Sequence, residues 1–330
     1  MTIEVGSIVR AKRPLPGSEK TFWSKAVVAD IEDDAATATL LWEPLTIHPI
    51  PPCTLRDWVI VPKSLQTEAD EEDETTVKLS EVQELLPFED ATTKADLEIA
   101  AWKERGDTLL RLGDASSAAS YYERGLHESN VISIGSTVVV SAGGFPRLAE
   151  VDCIEEEDGN VDIALVESGE EKTVKKSAIL LGIKEMDPEQ LQERMLLNLS
   201  RCMLQLSDLD SFANKSKYLK AAILATSLVI TISCSQNSDD GDLPTNAQTA
   251  LVLRAKAQIS LSKWPQAKQD AAKLVKSGNE QGTKLLATIE RKKKLQAKSD
   301  KKLAKEMCKL VQSTTTNGSV SSSKEPKGTT

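Results

Sequence analysis

Residues 101–126 read AWKERGDTLLRLGDASSAASYYERGL, and the rest of the chain is best understood from this stretch. Two short helical patterns stand back to back, and a Gly-Asp pair between them marks the break. Small residues such as Gly106 and Gly125 let helix backbones approach closely, while Trp102 and Tyr122 fill the space that remains. The stretch therefore predicts a helical hairpin with an interface of small and aromatic residues.

This hairpin resembles a tetratricopeptide repeat (TPR), whose period is about 34 residues with a recurring Trp, Gly, Tyr and Ala pattern. One repeat cannot bury its own apolar face, so the chain should supply further helix pairs. The periodicity predicts two more pairs and a long basic helix, over residues 191–206 with 218–232, 247–261 with 264–276, and 281–312.

The order of parts also resembles the C-terminal TPR region of FKBP-type immunophilins. An Ala-x-x-Lys-x-x-Gly pattern before the first repeat is matched by Ala100, Lys103 and Gly106, and a late Lys-Lys-Leu-x-x-x-Met run by residues 301–307. The resemblance implies a peptide-binding helical array. No stretch resembles the isomerase barrel of that family, so isomerase activity is not implied. The resemblance covers residues 92–129 and 188–312.

Residues 3–63 and 131–183 instead carry short alternating strands separated by turns. The second segment echoes the first at two places: VGSIV (5–9) against IGSTV (134–138), and AVVADIED (26–33) against AEVDCIEE (149–156). Both segments resemble SH3-like or Tudor-like barrels. The second barrel is predicted to be inserted between the first and second helix pairs.

The first barrel holds the candidate residues for an aromatic cage around a methylated lysine, Trp23, Trp42 and Trp58. Ring faces attract cations, which is the physical basis of such a cage. The alternative is that these rings form the core and rim of a small barrel. The second barrel has Phe145 as its only aromatic residue, so no cage is expected there.

The TPR resemblance also implies a clamp for the carboxylate end of acidic peptides, as in chaperone cofactors. Its pattern is Lys-x-x-x-Asn in the first repeat, Asn in the second and Lys-x-x-x-Arg in the third. Lys103 matches the first Lys and Asn198 the second-repeat Asn. Asp107 stands where the first Asn belongs, and its charge should repel the carboxylate.

The third repeat departs further from the clamp pattern. Thr249 and Leu253 occupy the Lys and Arg positions, and Arg254 lies one residue away, about 100° around the helix. Loss of two cations removes most of the attraction for a carboxylate. The candidate groove residues are Lys103, Asp107, Asn198 and Arg254.

Two segments are strongly charged. Residues 66–76 read QTEADEEDETT and lack the spacing of a calcium loop, so they predict a solvated spacer. The last helix is basic and amphipathic, which fits calmodulin or another acidic partner, an acidic membrane or a nucleic acid. The alternative is a solvated extension whose first turns cap the array.

Composition narrows the class of protein. The 330 residues carry a net charge of −9, which argues against general nucleic-acid affinity. Five scattered cysteines predict reduced thiols in a cytoplasmic or nuclear protein. The uncharged run over residues 221–234 is too short to span a bilayer. Only His48 and His127 could supply an imidazole, and no catalytic, cofactor or metal-ligand pattern surrounds them.

The sequence therefore predicts a non-catalytic, multidomain α plus β adaptor without a cofactor, with a three-repeat TPR array binding peptide segments of partners such as the C-terminal peptides of heat-shock chaperones. The alternative is a Tudor-like reader or scaffold in a chromatin- or RNA-associated complex. The predicted parts are a barrel (1–65), an acidic linker (66–90), a first repeat (91–130), an inserted barrel (131–184), second and third repeats (185–235 and 236–278), a basic helix (279–312) and a disordered tail (313–330).

Overall fold

The computed structural model describes residues 3–14, 21–42, 74–89, 98–142, 145–155, 158–184, 187, 189–209, 215–236 and 243–317. Within these ranges the chain forms two five-stranded antiparallel sheets and seven α-helices. The prediction that the chain combines helices with two separate β segments is confirmed.

The first sheet contains the strands β1 (Ile8–Pro14), β2 (Thr21–Glu32), β3 (Thr37–Trp42), β4 (Glu74–Lys78) and β5 (Val82–Glu84). Their order is β4-β3-β2-β1-β5. Side chains alternate between two faces, and the inward face carries small and aliphatic residues. No pairing between the edge strands β4 and β5 occurs among the described residues, so the sheet is open where the sequence predicted a barrel.

The predicted acidic linker over residues 66–90 is wrong in its second half, because β4 and β5 lie there. Val77 and Val82 are buried and complete the core of the first sheet. The β-branched run Thr75, Thr76 and Val77 favours a strand. The strand was not predicted because the neighbouring run of carboxylates favours a solvated spacer. The first β segment therefore extends to Glu84.

The second sheet follows the second helix in the chain. Its strands are β6 (Thr137–Ala142), β7 (Phe145–Glu155), β8 (Asn160–Leu165), β9 (Glu171–Lys175) and β10 (Ile179–Gly182), in the order β10-β6-β7-β8-β9. All five strands lie within residues 131–183, where the sequence predicts short strands. This sheet is also open.

The two β segments share local backbone structure where their sequences are similar. Gly6 and Gly135 both have a positive φ, +87° and +79°, which favours glycine. The Gly6 N–H donates to the Val28 carbonyl at 2.8 Å, and the Gly135 N–H donates to the Val151 carbonyl at 2.7 Å. Each of these valines is followed by a shift in strand register. The repetition thus includes backbone geometry as well as residue type.

The helices are α1 (Ile99–Arg111), α2 (Ala115–Glu128), α3 (Leu191–Leu209), α4 (Lys215–Gln236), α5 (Thr245–Ser260), α6 (Trp264–Lys276) and α7 (Glu280–Asn317). Each helix packs against the next one in the chain. The predicted helix pairs are therefore present. The helix α7 continues to Asn317 rather than residue 312, and residues 318–330 lie outside the described part of the chain.

Close approach of the first three helices depends on two glycines. A Cβ atom at Gly106 would lie 2.6 Å from the Tyr122 ring, so α1 and α2 can meet here only without a side chain. A Cβ atom at Gly125 would lie 2.6 Å from the Met195 sulfur, where α2 meets α3. The predicted interface of small and aromatic residues is confirmed at these positions.

The helix α4 has the length and composition of a membrane-spanning helix. Its segment Lys215–Ser235 has a mean hydropathy of 1.6, and 56% of the most apolar window is buried inside the protein. It packs against both α3 and α5. A core position between two helices is sufficient to explain this apolar composition.

A buried ion pair joins the first sheet to the helices. Arg10 points away from the sheet core and forms ion pairs with Glu89 and Asp114. Asp114 also caps α2 by accepting a hydrogen bond from the Ser117 N–H at 2.9 Å. Burial raises the pKa of Asp114, because few waters can solvate its charge. Arg10 thus fixes the first sheet against the turn between α1 and α2.

Candidate functional site

A groove of about 660 Å³ lies between α1, α3 and α5. Residues three, four and seven apart on a helix share a face, so each helix presents one row of side chains to the groove. These rows are Lys103, Glu104, Asp107, Leu110 and Arg111 from α1, Arg194, Leu197, Asn198 and Arg201 from α3, and Asn246 and Thr249 from α5.

Asp107 is the centre of a hydrogen-bond network at the wall of the groove. It accepts from the Lys103 ammonium at 2.6 Å, the Tyr122 hydroxyl at 2.7 Å and the Asn198 amide at 2.8 Å. Burial alone would raise the pKa of Asp107, but these hydrogen bonds and the Lys103 charge outweigh it and lower the pKa. Asp107 is therefore an ionised group whose charge is met by Lys103.

The sequence prediction brought three of its four groove residues together. Lys103, Asp107 and Asn198 line the groove, and both Lys103 and Asn198 donate hydrogen bonds to Asp107. From the sequence, Asp107 was expected only to repel a carboxylate ligand. In the structure Asp107 also forms an ion pair with Lys103, the lysine that a carboxylate ligand would need.

Arg254 is the exception, and its assignment to the groove is wrong. Its guanidinium donates to both carboxylate oxygens of Asp270 on α6, at 2.8 and 2.7 Å, and to the Ser227 hydroxyl at 3.0 Å. It therefore faces α4 and α6, where a buried carboxylate holds it. The groove receives Thr249 from this helix, and Leu253 is buried.

Two arginines that the sequence analysis did not select stand on either side of Asn198. Arg194 and Arg201 are both exposed and line the groove. Arg201 donates to the Asn198 amide oxygen, while Arg194 forms no ion pair within the described ranges. Their spacing of four and three residues from Asn198 places them on its face of α3 and could have identified them.

The groove is positively charged although the chain is acidic. Four cations line it, Lys103, Arg111, Arg194 and Arg201, against the two carboxylates Glu104 and Asp107. The chain as a whole carries a net charge of −9. A local excess of cations in a concave site attracts anionic ligands.

The predicted aromatic cage does not form from Trp23 and Trp42. Trp42 faces the core of the first sheet, donates to the Thr75 hydroxyl at 3.0 Å and has Arg13 over its ring. Trp23 has the adjacent residue of β1, Lys12, over its ring. Neighbouring residues on a strand point to opposite faces, so the two tryptophans do too. The third predicted member, Trp58, lies outside the described residues.

The basic helix presents most of its positive charge on one face. Leu285 and Ile289 of α7 are buried against the preceding helices, whereas all side chains from residue 290 to 309 are exposed. The exposed apolar residues Leu303 and Met307 lie on the other side of the helix, and Leu295 lies at the edge of the basic face. This face is about 100° wide and consists of Arg291, Lys294, Lys298, Lys301, Lys302, Lys305 and Lys309, while Lys292 and Lys293 lie outside it.

The described residues contain no group of three His, Cys, Asp or Glu side chains placed to hold a metal ion. Cys202, on the buried side of α3, has a raised pKa because burial disfavours its thiolate. No protein-family model matches the chain, and no curated protein matches it.

Proposed function

We propose that the protein is a non-catalytic adaptor of the cytoplasm or nucleus, and that its groove binds acidic peptide segments of partner proteins. In this proposal the three pairs α1–α2, α3–α4 and α5–α6 form a TPR-like array that α7 caps. The observation that carries the proposal is the cationic groove between the first helices of the three pairs.

We further propose that the two β segments are SH3-like modules attached to this array. Their support is a shared strand order, with the first strand lying between the second and the last. A short helical turn precedes the last strand in each, Leu79–Glu81 and Lys176–Ala178. They serve as interaction or spacing modules. The reader function is the weaker candidate, because Trp23 and Trp42 do not face each other.

The proposed ligand class follows from charge. Arg194 and Arg201 offer planar guanidinium donors at the groove surface, and such donors form strong hydrogen bonds with carboxylates. The peptide would lie along α3 with α1 and α5 as walls. Chaperone C-terminal peptides are one member of this class, since they are acidic.

The experiment is a calorimetric titration of the full chain with acidic peptides, repeated on a variant whose groove is filled. Thr249→Trp places an indole in the groove, so we expect it to abolish binding. The matched control is Lys268→Trp, an exposed position on α6 outside the groove lining, which should leave affinity unchanged. Equal affinity of both variants and the unaltered chain would refute the groove as the binding site.

A further inference from the structure

We propose that the groove recognises two side-chain carboxylates of an internal acidic segment, through Arg194 and Arg201, rather than the carboxylate end of a peptide. This inference rests on the proposed peptide-binding function and specifies its ligand.

The position that a terminal carboxylate would need is already occupied. The Lys103 ammonium lies 2.6 Å from an Asp107 oxygen, and Asn198 donates its amide to the same carboxylate. A ligand carboxylate that reached Lys103 would stand beside the charge of Asp107. Two carboxylates sharing one site cannot both stay ionised without cost. Asp107 thus takes the place of the ligand at this end of the groove.

Arg254, the other cation of the predicted clamp, is committed to a carboxylate within the protein. Arg254 is held by both oxygens of Asp270 and does not line the groove. Arg111 lies on α1, where it donates to the Asp107 carbonyl at 3.3 Å and the Thr108 hydroxyl at 3.2 Å. Neither arginine is placed as the clamp pattern requires.

Arg194 and Arg201 are the available cations of α3, and both line the groove. Arg194 is exposed and pairs with no carboxylate among the described residues, and Arg201 contacts the neutral Asn198 amide. The contact leaves the charge of Arg201 uncompensated. Since the Asn198 amide nitrogen donates to Asp107 and its amide oxygen accepts from Arg201, Asn198 holds the arginine in the groove.

The distance between the two arginines sets the spacing of the ligand. They are seven residues apart on one helix face, which corresponds to about 10 Å along the axis at ~1.5 Å per residue. A peptide in the extended polyproline II conformation advances about 3.1 Å per residue, so the two carboxylates should be about three residues apart. This conformation has three residues per turn, so side chains at this separation point to the same side and both can reach α3.

The probe is a fluorescent, N-acetylated and C-amidated peptide with two glutamates three residues apart in an alanine and serine background. Binding to the full chain is followed by anisotropy at low salt, because exposed ion pairs are screened as salt rises. We expect Arg194→Ala and Arg201→Ala each to weaken binding about tenfold, as expected for loss of one hydrogen-bonded charge pair. The matched control Arg291→Ala, on α7, should change affinity less than about twofold, the precision of such comparisons.

Two further peptides separate this inference from the proposed function. The same peptide with a free C-terminus should bind as tightly as the amidated one, and a peptide with adjacent glutamates should bind more weakly. If acidic peptides bind only with a free C-terminus and the two arginine variants bind normally, this inference is overturned and the adaptor function stands. If no acidic peptide binds at all, both are overturned.

Discussion

At the scale of single residues, the pairing of each charged side chain decides whether that side chain is available to a ligand in the groove. Lys103 and Asn198 could be predicted from the resemblance to the TPR clamp pattern, and both line the groove. The role of Arg254 could not, since its partner Asp270 lies on the next helix and the sequence gives no means of ranking that pair above a groove position. Arg194 was not predicted because the clamp pattern has no cation at its position in the second repeat.

Asp107 offers a test of the network through pH. Its folded pKa lies below the ordinary value of 3.8, so its ionised form stabilises the folded state. This contribution is present above pH 3.8 and is lost as pH falls through the folded pKa. Asp107→Asn should therefore lower the free energy of unfolding by about 1–2 kcal/mol at neutral pH. The difference in unfolding free energy between the two proteins should shrink as the pH falls through the folded pKa of Asp107.

The measurement is denaturant unfolding of both proteins from neutral pH to below 3.8. Comparing the two proteins at each pH removes the effect of other carboxylates, which titrate in both. A stability difference that stays constant down to the lowest pH would contradict the proposed role of the Asp107 charge.

At the scale of elements, helices were predicted better than strands. The helix pairs have strong periodicity and clear breaks, whereas β10 is only four residues long and β4 borders a run of carboxylates. The echo between the two β segments was visible because glycines with positive φ and buried valines recur in the same order. The open edges of the sheets depend on long-range pairing, which local patterns do not encode.

The contact of α1 with α2 gives a prediction at this scale. Gly106→Ala would normally favour a helix by about 1 kcal/mol, but here the new methyl meets the buried Tyr122 ring. We expect a net loss of about 1–3 kcal/mol of unfolding free energy from overpacking. Denaturant unfolding measures it, and the added substitution Tyr122→Leu should recover part of the loss. If the Gly106→Ala variant is as stable as the unaltered chain, α1 and α2 pack less tightly at this contact than the structure shows.

At the scale of the whole molecule, the two sheets are joined to the helices in different ways. The first sheet is held by Arg10 against Asp114 at the start of α2. The second sheet lies between α2 and α3 in the chain, yet its residues Val139, Leu148 and Leu181 share a core cluster with the helices. Composition could not predict either contact, since both link residues far apart in the sequence. The groove, however, is formed by α1, α3 and α5 alone.

The most direct test of the groove is hydrogen exchange of the full chain with and without a saturating amount of the two-glutamate peptide. Bound ligand stabilises the segments that contact it. We predict slower exchange in α1 around residues 103–111 and in α3 around residues 194–201, with α7 and the first sheet unchanged. Slower exchange confined to α7 or to the first sheet would contradict the account, because binding would then lie outside the groove.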